Sequence, residues 1–405
     1  MGPSVFQLQC TCNNYPWGRV GTSSMSARLC SKTPNTGFEI EDKPYAEMWM
    51  GDYPVQPAKS LKTGEELHKI VDEDKEGLLG KNVMEKFGGV LPFLPKILSI
   101  EKALELQIHP DKDLAARLHA RNPDQFTDDN HKPEIAIALG KFEVFVGWKA
   151  TPDIQALFDV LQPIQKFLPN GQTHFNNETL KRVCQTILTS SDDSIKECQE
   201  QLGKIPRERF GKQAYILDLL PRLQEQYSIE DPGNLVTLLC MNFLTLEAGE
   251  ALYVPADCPH AYLSGDIVEC MARSNNVLNT GFCPRAKRDS IELFTEALTF
   301  SPHNAKDAML GATKSSKGKM GKTVDYAPPM SEFNMLRTSL QAGEKEIQEK
   351  IAGPSVIFAT SGAGKMKAGG EDFDFNEGYI FFAGQGVEIE FSAEKDLEVY
   401  RAYAE

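Results

Sequence analysis

From residue 104 the chain alternates: Leu104, Leu106 and Ile108 are interleaved with Glu105, Gln107 and His109. A period of two predicts a strand, because successive side chains leave a strand on opposite faces. One face is then aliphatic and the other carries Gln107 and His109. The pattern returns over 134–139, where Ile135, Ile137 and Leu139 point one way and Glu134 shares the other face with Ala136 and Ala138. Two such strands side by side line a cavity with a carboxamide, an imidazole and a carboxylate. Upstream, LPFLPKILSI (91–100) predicts an apolar strand leading into this stretch. The rest of the first hundred residues reads as turns and short strands, with aromatic–glycine clusters at 14–18 and 45–51.

After Gly147 and Trp148 the period lengthens. Thr151-Pro152-Asp153 offers an N-cap with proline at the first helical position, and Ile154, Leu157, Phe158 and Leu161 follow at helical spacing. A second helix is predicted through Leu180, Val183, Cys184, Ile187 and Leu188, a third from about Ser194, and two more over 215–226 and 234–240. Strand patterns resume at 241–246, 251–254 and 266–271, with a helix over 290–300 and short strands with glycine-rich turns from about 324. The 362–366 stretch GAGKM looks like a phosphate loop, but Ala359 and Met366 stand where Gly and Ser/Thr are needed and no helix pattern follows. It is expected to be a turn joining strands. The predicted class is mainly β with α. Residues 1–150 and 241–311 form a first β domain interrupted by a helical insertion over 151–240; 312–323 is a small, basic linker and 324–405 a second β domain.

A chain of 405 residues is long enough for two or three domains. Its 57 acidic against 43 basic residues give a formal charge of -14, which argues against a general affinity for nucleic acid or anionic membrane. An anionic ligand would need local positive charge. No apolar run reaches spanning length and MGPSVFQLQC lacks the basic and apolar segments of a secretory signal, so a cytoplasmic protein is expected. The 9 cysteines are odd in number and scattered, unlike a disulfide framework. Cys10 and Cys12 are read as free thiols.

A further imidazole completes the candidate chemistry. In GEALYVPADCPHAY, Gly249, Pro255 and His260 follow the second half of a cupin motif, with Asp257 in place of its second glycine. Gln107, His109, Glu134 and His260 would together offer two imidazoles, a carboxylate and a neutral oxygen, a set suited to zinc or a similar divalent ion. A lone histidine or buried glutamine is more often an ordinary core or surface group than a ligand, which is how His68, His119, His174 and His303 are read.

The segments NYPWG, YAEMWMG, LPFLPKILSI, LELQIHPDK, NHKPEIAIAL, GEALYVPADCPHAYLSGDIVECMA and YAPPMSEF run in order from residue 14 to about 334. In that order they resemble type I mannose-6-phosphate isomerases (phosphomannose isomerases), zinc-dependent cupin enzymes. The resemblance implies two cupin-like (jelly-roll) β domains with an inserted helical domain and one zinc per chain on Gln107, His109, Glu134 and His260. It also implies interconversion of mannose 6-phosphate and fructose 6-phosphate, a step toward GDP-mannose, by moving a proton between C1 and C2 through an enediol(ate). Glu269, alternating with Ile267 and Met271 shortly after His260, is the first candidate for the base, or else orients a ligand. Lys132 and His131 are candidates for ring opening and proton shuttling, Lys132 equally for anchoring the substrate, and Tyr262 for contact with the sugar or a ligand.

After ECMA the chain departs from the family pattern N-x-x-R-A-G followed by T-P-K. It reads SNNVLNTGFCPR, so Asn279 stands where the arginine is expected, Cys283 replaces threonine and Arg285 replaces lysine. The phosphate end is therefore expected to rest on Arg285, helped by Lys287 or Arg288, with Lys112, Ser99 and Asn279 as further candidate contacts. The expected partner is a small sugar phosphate, and the chain a monomer or weak oligomer. Two alternatives stay open: a cupin that binds sugar phosphate without isomerising it, and an isomerase of another hexose or hexose phosphate.

Overall fold

The computed structural model describes residues 4–169, 172, 174–329 and 332–405. Two antiparallel sheets, each 10-stranded, hold the described chain together. The helices between Trp148 and Met241 gather on one flank. This is the mainly β, partly helical class expected from the periodicities.

The first sheet is organised around the 13-residue strand His260–Ala272. Its opening residues pair with Phe142–Trp148, with His260 opposite both Val146 and Gln107. Its later residues pair with Phe93–Ile100 on one side and Glu134–Ala138 on the other, with Glu269 opposite Lys96 and Ala136. Between the two halves lies Gly265, at φ 129. A Cβ there would sit 2.7 Å from the Lys141 carbonyl oxygen, so only glycine lets the strand bend from one set of neighbours to the other. The short strand Leu106–Ile108 closes this end, pairing through Gln107 with Asn279 as well as His260.

Glu134–Ala138 is buried along its whole length. Ile135 and Ile137 enter an apolar core with Val268, Phe93 and, from the C-terminal part of the chain, Tyr326 and Met335. Ala136 and Ala138 face a second core with Val144, Leu252 and Tyr262, and their small side chains leave room beside Glu134. On the far flank Leu106, Ile108 and Ala261 share a core with Ile154, Leu157, Leu180 and Val183. The helices thus brace the strand that carries Gln107.

Several sequence expectations are corrected. Val5–Gln9, assigned by position to the first β domain, pairs with Ile380–Ala383 in the second sheet. Residues expected as turns form helices at Met25–Lys32, Leu67–Glu73, Lys75–Leu79 and Lys81–Phe87. These span little more than two turns at most, too short for a clear periodic signal, and two of them start at side-chain caps, Ser24 and Asp74. The cap before Thr151 is Ala150, without a side-chain hydrogen bond, and Thr151 is itself helical. The 362–366 stretch lies inside the strand Ser355–Ala368, where the register shifts. A Cβ on Gly362 would sit 1.8 Å from the Asp396 carbonyl oxygen, so its glycines serve close strand approach and not a turn. The 312–323 connector contains the strand Thr313–Lys314. All nine cysteines are free, and no described helix is long and apolar enough to cross a membrane.

Candidate metal centre and catalytic cavity

His109, Glu134 and His260 converge, with their ligand atoms within 4.8 Å of one another and all three buried. His109 Nε2 lies 3.2 Å from Glu134 Oε1, and His260 Nε2 lies 3.7 Å from Glu134 Oε2. Tetrahedral coordination at about 2.0–2.2 Å per bond has edges of about 3.3–3.6 Å, close to these separations. Each imidazole has its other nitrogen committed. Nδ1 of His109 donates to the Asn276 carbonyl at 2.8 Å, and Nδ1 of His260 to the Cys258 carbonyl at 3.1 Å. Those bonds set the tautomer and turn both Nε2 lone pairs toward Glu134.

Burial lowers the His109 pKa to about 4, with Lys132 acting in the same direction, and burial also lowers that of His260. For Glu134 burial pushes upward, but Lys132 and His109 outweigh it and hold the carboxyl well below its ordinary value. Neutral imidazoles around an ionised carboxylate are the protonation state that binds a cation. His109 Nε2 is buried without a hydrogen-bond partner among the described residues, an arrangement that costs free energy unless something fills it. Gln107 lines the adjoining cavity with Glu134 and His260 and offers a neutral oxygen. These residues fit a divalent metal. Asp257, at the motif's second glycine position, has φ 66, in the left-handed region that glycine enters without strain. It is held there by its own N–H, which donates to the His109 carbonyl at 2.7 Å, and by the Thr299 hydroxyl.

A cavity of about 80 Å³ opens beside the centre, lined among others by Glu47, Lys96, Lys132, Tyr262 and Glu269. Lys132 Nζ lies 3.1 Å from Glu134 Oε1, and the Tyr262 hydroxyl donates to Glu134 Oε2 at 3.2 Å. Glu269 forms a buried ion pair with Lys96 at 2.9 Å, and Lys96 also faces Glu47 at 3.7 Å. Trp49 Nε1 donates to Glu47 at 2.5 Å. Burial pushes the Glu269 pKa up to about 7 against the pull of Lys96. Burial pulls Lys96 down, but Glu269 and Glu47 outweigh it and raise its pKa. Lys96 and Glu47 were missed in the sequence. The available signal was a single lysine in the apolar run LPFLPKILSI: a lysine inside a buried strand must find an anion.

Other candidate residues fall elsewhere. His131 lines neither this cavity nor the larger one beside it; its Nε2 is turned to Glu332, at 2.8 Å. Ser99 is fully buried and accepts from the Ser26 N–H at 2.9 Å, out of reach of a phosphate. Lys112 is the exposed first residue of the helix Lys112–Arg121 and lines neither cavity. Arg285, Lys287 and Arg288 line the larger cavity, of about 600 Å³, and Glu105 borders both. There Arg285 pairs with Asp192 near the surface, and Arg288 pairs with buried Asp231 at 2.9 Å. The Asn279 N–H donates to Asp289 at 2.7 Å, while its side-chain oxygen is buried without a partner among the described residues.

Comparison with known proteins gives one family. A profile of the phosphomannose isomerase type I catalytic domain matches residues 5–151. Mannose-6-phosphate isomerase of Aspergillus fumigatus is 35% identical, over 99% of this chain and 96% of its own. That of Saccharomyces cerevisiae is 34% identical over 100% of both. A crystal structure of zinc-bound mannose 6-phosphate isomerase superposes with a TM-score of 0.82 at 24% identity, covering 99% of this chain and 100% of that one.

Proposed function

The chain belongs to the type I phosphomannose isomerase family, and from that premise we propose that it interconverts mannose 6-phosphate and fructose 6-phosphate with one zinc ion per chain. The observation that carries this reading is the convergence of His109, Glu134 and His260 beside a cavity holding Lys132 and Glu269. Gln107, His109, Glu134 and His260 would hold the zinc, which when bound stabilises negative charge developing on substrate oxygen.

The remaining chemistry belongs to the protein. Glu269 takes a proton from one sugar carbon and returns it to the neighbouring one; a carboxyl brought to about 7 by burial both accepts and releases protons near neutrality. Lys96, 2.9 Å away, fixes the direction of that carboxylate and favours its ionised form against burial. Lys132 donates toward the sugar oxygens while its pairing with Glu134 at 3.1 Å holds it in the cavity. Tyr262 orients Glu134. We place the phosphate in the larger cavity, on Arg285 with help from Lys287, where Asp192 is an exposed partner that a dianion can displace. The exposed large apolar side chains among the described residues, Tyr15, Val20, Val55 and Met320, are too few for an obligate interface. A monomer or weak oligomer therefore suffices. Nine free cysteines suit a reducing compartment such as the cytoplasm.

Asn279 keeps a second reading in view, a cupin that binds sugar phosphate without turning it over. Coupled assays on the purified protein with mannose 6-phosphate, glucose 6-phosphate and free mannose distinguish the readings. Turnover of mannose 6-phosphate that disappears on chelation and returns with zinc is the expected result. Binding without turnover establishes the alternative.

A further inference from the structure

The YAPPMSEF segment has no part in the chemistry so far. Met330 and Ser331 lie outside the described residues, but Glu332 is well placed. It is 9% exposed, and its Oε1 lies 2.8 Å from Nε2 of His131, which is 6% exposed. A carboxylate only accepts, so the imidazole Nε2–H donates. The two residues are 201 apart in sequence.

Glu332 is anchored from its own side. Phe333, Met335 and Tyr326 pack in the core that also takes Ile135 and Ile137, the back of the strand carrying Glu134. The Tyr326 hydroxyl donates to the Gly249 carbonyl at 2.7 Å, and Asn334–Leu340 pairs along its length with the last strand, Ile389–Tyr403. The main chain of the loop facing Glu332 is fixed only at its ends. Asn130 Nδ2 donates to the Arg273 carbonyl at 3.1 Å, and the Pro133 carbonyl accepts from Ala272 at 3.0 Å. Between them, His131 and Lys132 make no main-chain hydrogen bond to any described residue. Besides the Lys132–Glu134 pair, the Glu332 contact restrains the middle of this loop through His131, one residue before Lys132 and three before Glu134.

We propose that Glu332 is a positioning residue: through His131 it sets the loop that presents Lys132 and Glu134, so the second sheet takes part in catalysis without touching the substrate. This rests on the isomerase reading for Lys132 and on the metal reading for Glu134, and each has its own readout. Glu332→Ala should lower kcat on mannose 6-phosphate about 10–100-fold, the usual effect of losing a partner behind a ligand set, and weaken zinc affinity in the same range, with KM changing less. Glu332→Gln, whose amide oxygen still accepts from Nε2–H, should recover most of both. Glu332→Ala combined with His131→Ala should be no worse than His131→Ala alone, because both remove one contact. Zinc affinity is read by chelator competition, without turnover, so an inactive wild type would defeat the isomerase reading and leave the positioning test standing. The inference is overturned if Glu332→Ala keeps wild-type kcat and zinc affinity. It is equally overturned if Glu332→Gln, folded by circular dichroism, is as damaged as the alanine variant, or if the losses of the two single variants add.

Discussion

Replacing Glu269 by glutamine tests the proton-transfer assignment most directly. The side chain is 4% exposed and its carboxylate lies 2.9 Å from Lys96, which has a second anion, Glu47, at 3.7 Å. Stripping a buried ion pair of one partner outright costs about 3–5 kcal/mol. Glutamine still accepts from Lys96 and Glu47 still balances the ammonium, so the stability loss should be nearer about 1–2 kcal/mol. At about 1 °C per kcal/mol for a chain of this length, the melting temperature drops by only about 1–2 °C and the protein stays folded at 25 °C. Catalysis should respond far more strongly. An amide cannot accept the carbon-bound proton, so kcat should fall about 10²–10⁴-fold, or about 2.7–5.4 kcal/mol of barrier. The assay is steady-state turnover of mannose 6-phosphate beside zinc content by elemental analysis, which should remain about one per chain. A kcat within about threefold of wild type in zinc-loaded protein would refute the assignment and move the base to Lys132.

His109→Ala should lose the zinc without losing the fold, because Leu106 and Ile108, both fully buried, still seat the strand; metal content and the melting curve of chelated protein read this. Arg285→Ala should raise KM for mannose 6-phosphate about tenfold or more, since a charge-assisted contact contributes about 1.5–3 kcal/mol, whereas Asn279→Arg should act chiefly on kcat; steady-state kinetics of the pair decide. Lys149 donates to the Leu238 and Leu239 carbonyls from a fully buried position, where burial lowers its pKa from 10.5 to about 7. Between about pH 7 and 10.5 the unfolded chain holds this proton and the folded one does not, so this group makes stability rise with pH across that window, by at most about 1.4 kcal/mol per unit. Denaturation of wild type and Lys149→Met at pH 7 and 9 should show that rise in their difference, and a difference independent of pH would contradict it.

What was legible followed from local period and from motifs. The alternation over 104–109 and 134–139 located Gln107 and Glu134 on strands, with His109 one residue past the end of Leu106–Ile108, and the spacing from Gly249 to His260 supplied the second imidazole. What was hidden depended on partners distant in sequence. Val5–Gln9 alternates like any strand, and nothing local says that it pairs with Ile380–Ala383. His131 and Lys132 are adjacent, yet one turns toward Glu332 and the other toward Glu134; outside a regular strand, adjacency fixes no direction. Ser99 sits in an apolar strand as Lys96 does, but its small hydroxyl is held by Ser26 and Asp266, whereas the ammonium drew Glu47 and Glu269 around it.

On the reading proposed above, charge accounts for the separation of the two ends of the substrate site. The inner cavity is lined by four carboxylates, those of Glu47, Glu105, Glu134 and Glu269, against the two ammonium groups of Lys96 and Lys132. That excess of negative charge opposes both an enediolate and the ionised form of Glu269. A divalent cation would bring the balance to zero; a monovalent one would not. Even then the inner cavity is only neutral and offers a phosphate dianion no attraction at a distance. On the proposed reading the attraction comes from the larger cavity, where Arg285, Lys287 and Lys102 lie and only Arg288 is matched by a buried carboxylate, Asp231. Asn279 pairs with Gln107, at the metal end. A cation lost at that position changes the field on the reacting oxygens more than the hold on phosphate. Asn279→Arg should therefore appear in kcat and Arg285→Ala in KM, and finding the two effects exchanged would place the phosphate beside Gln107.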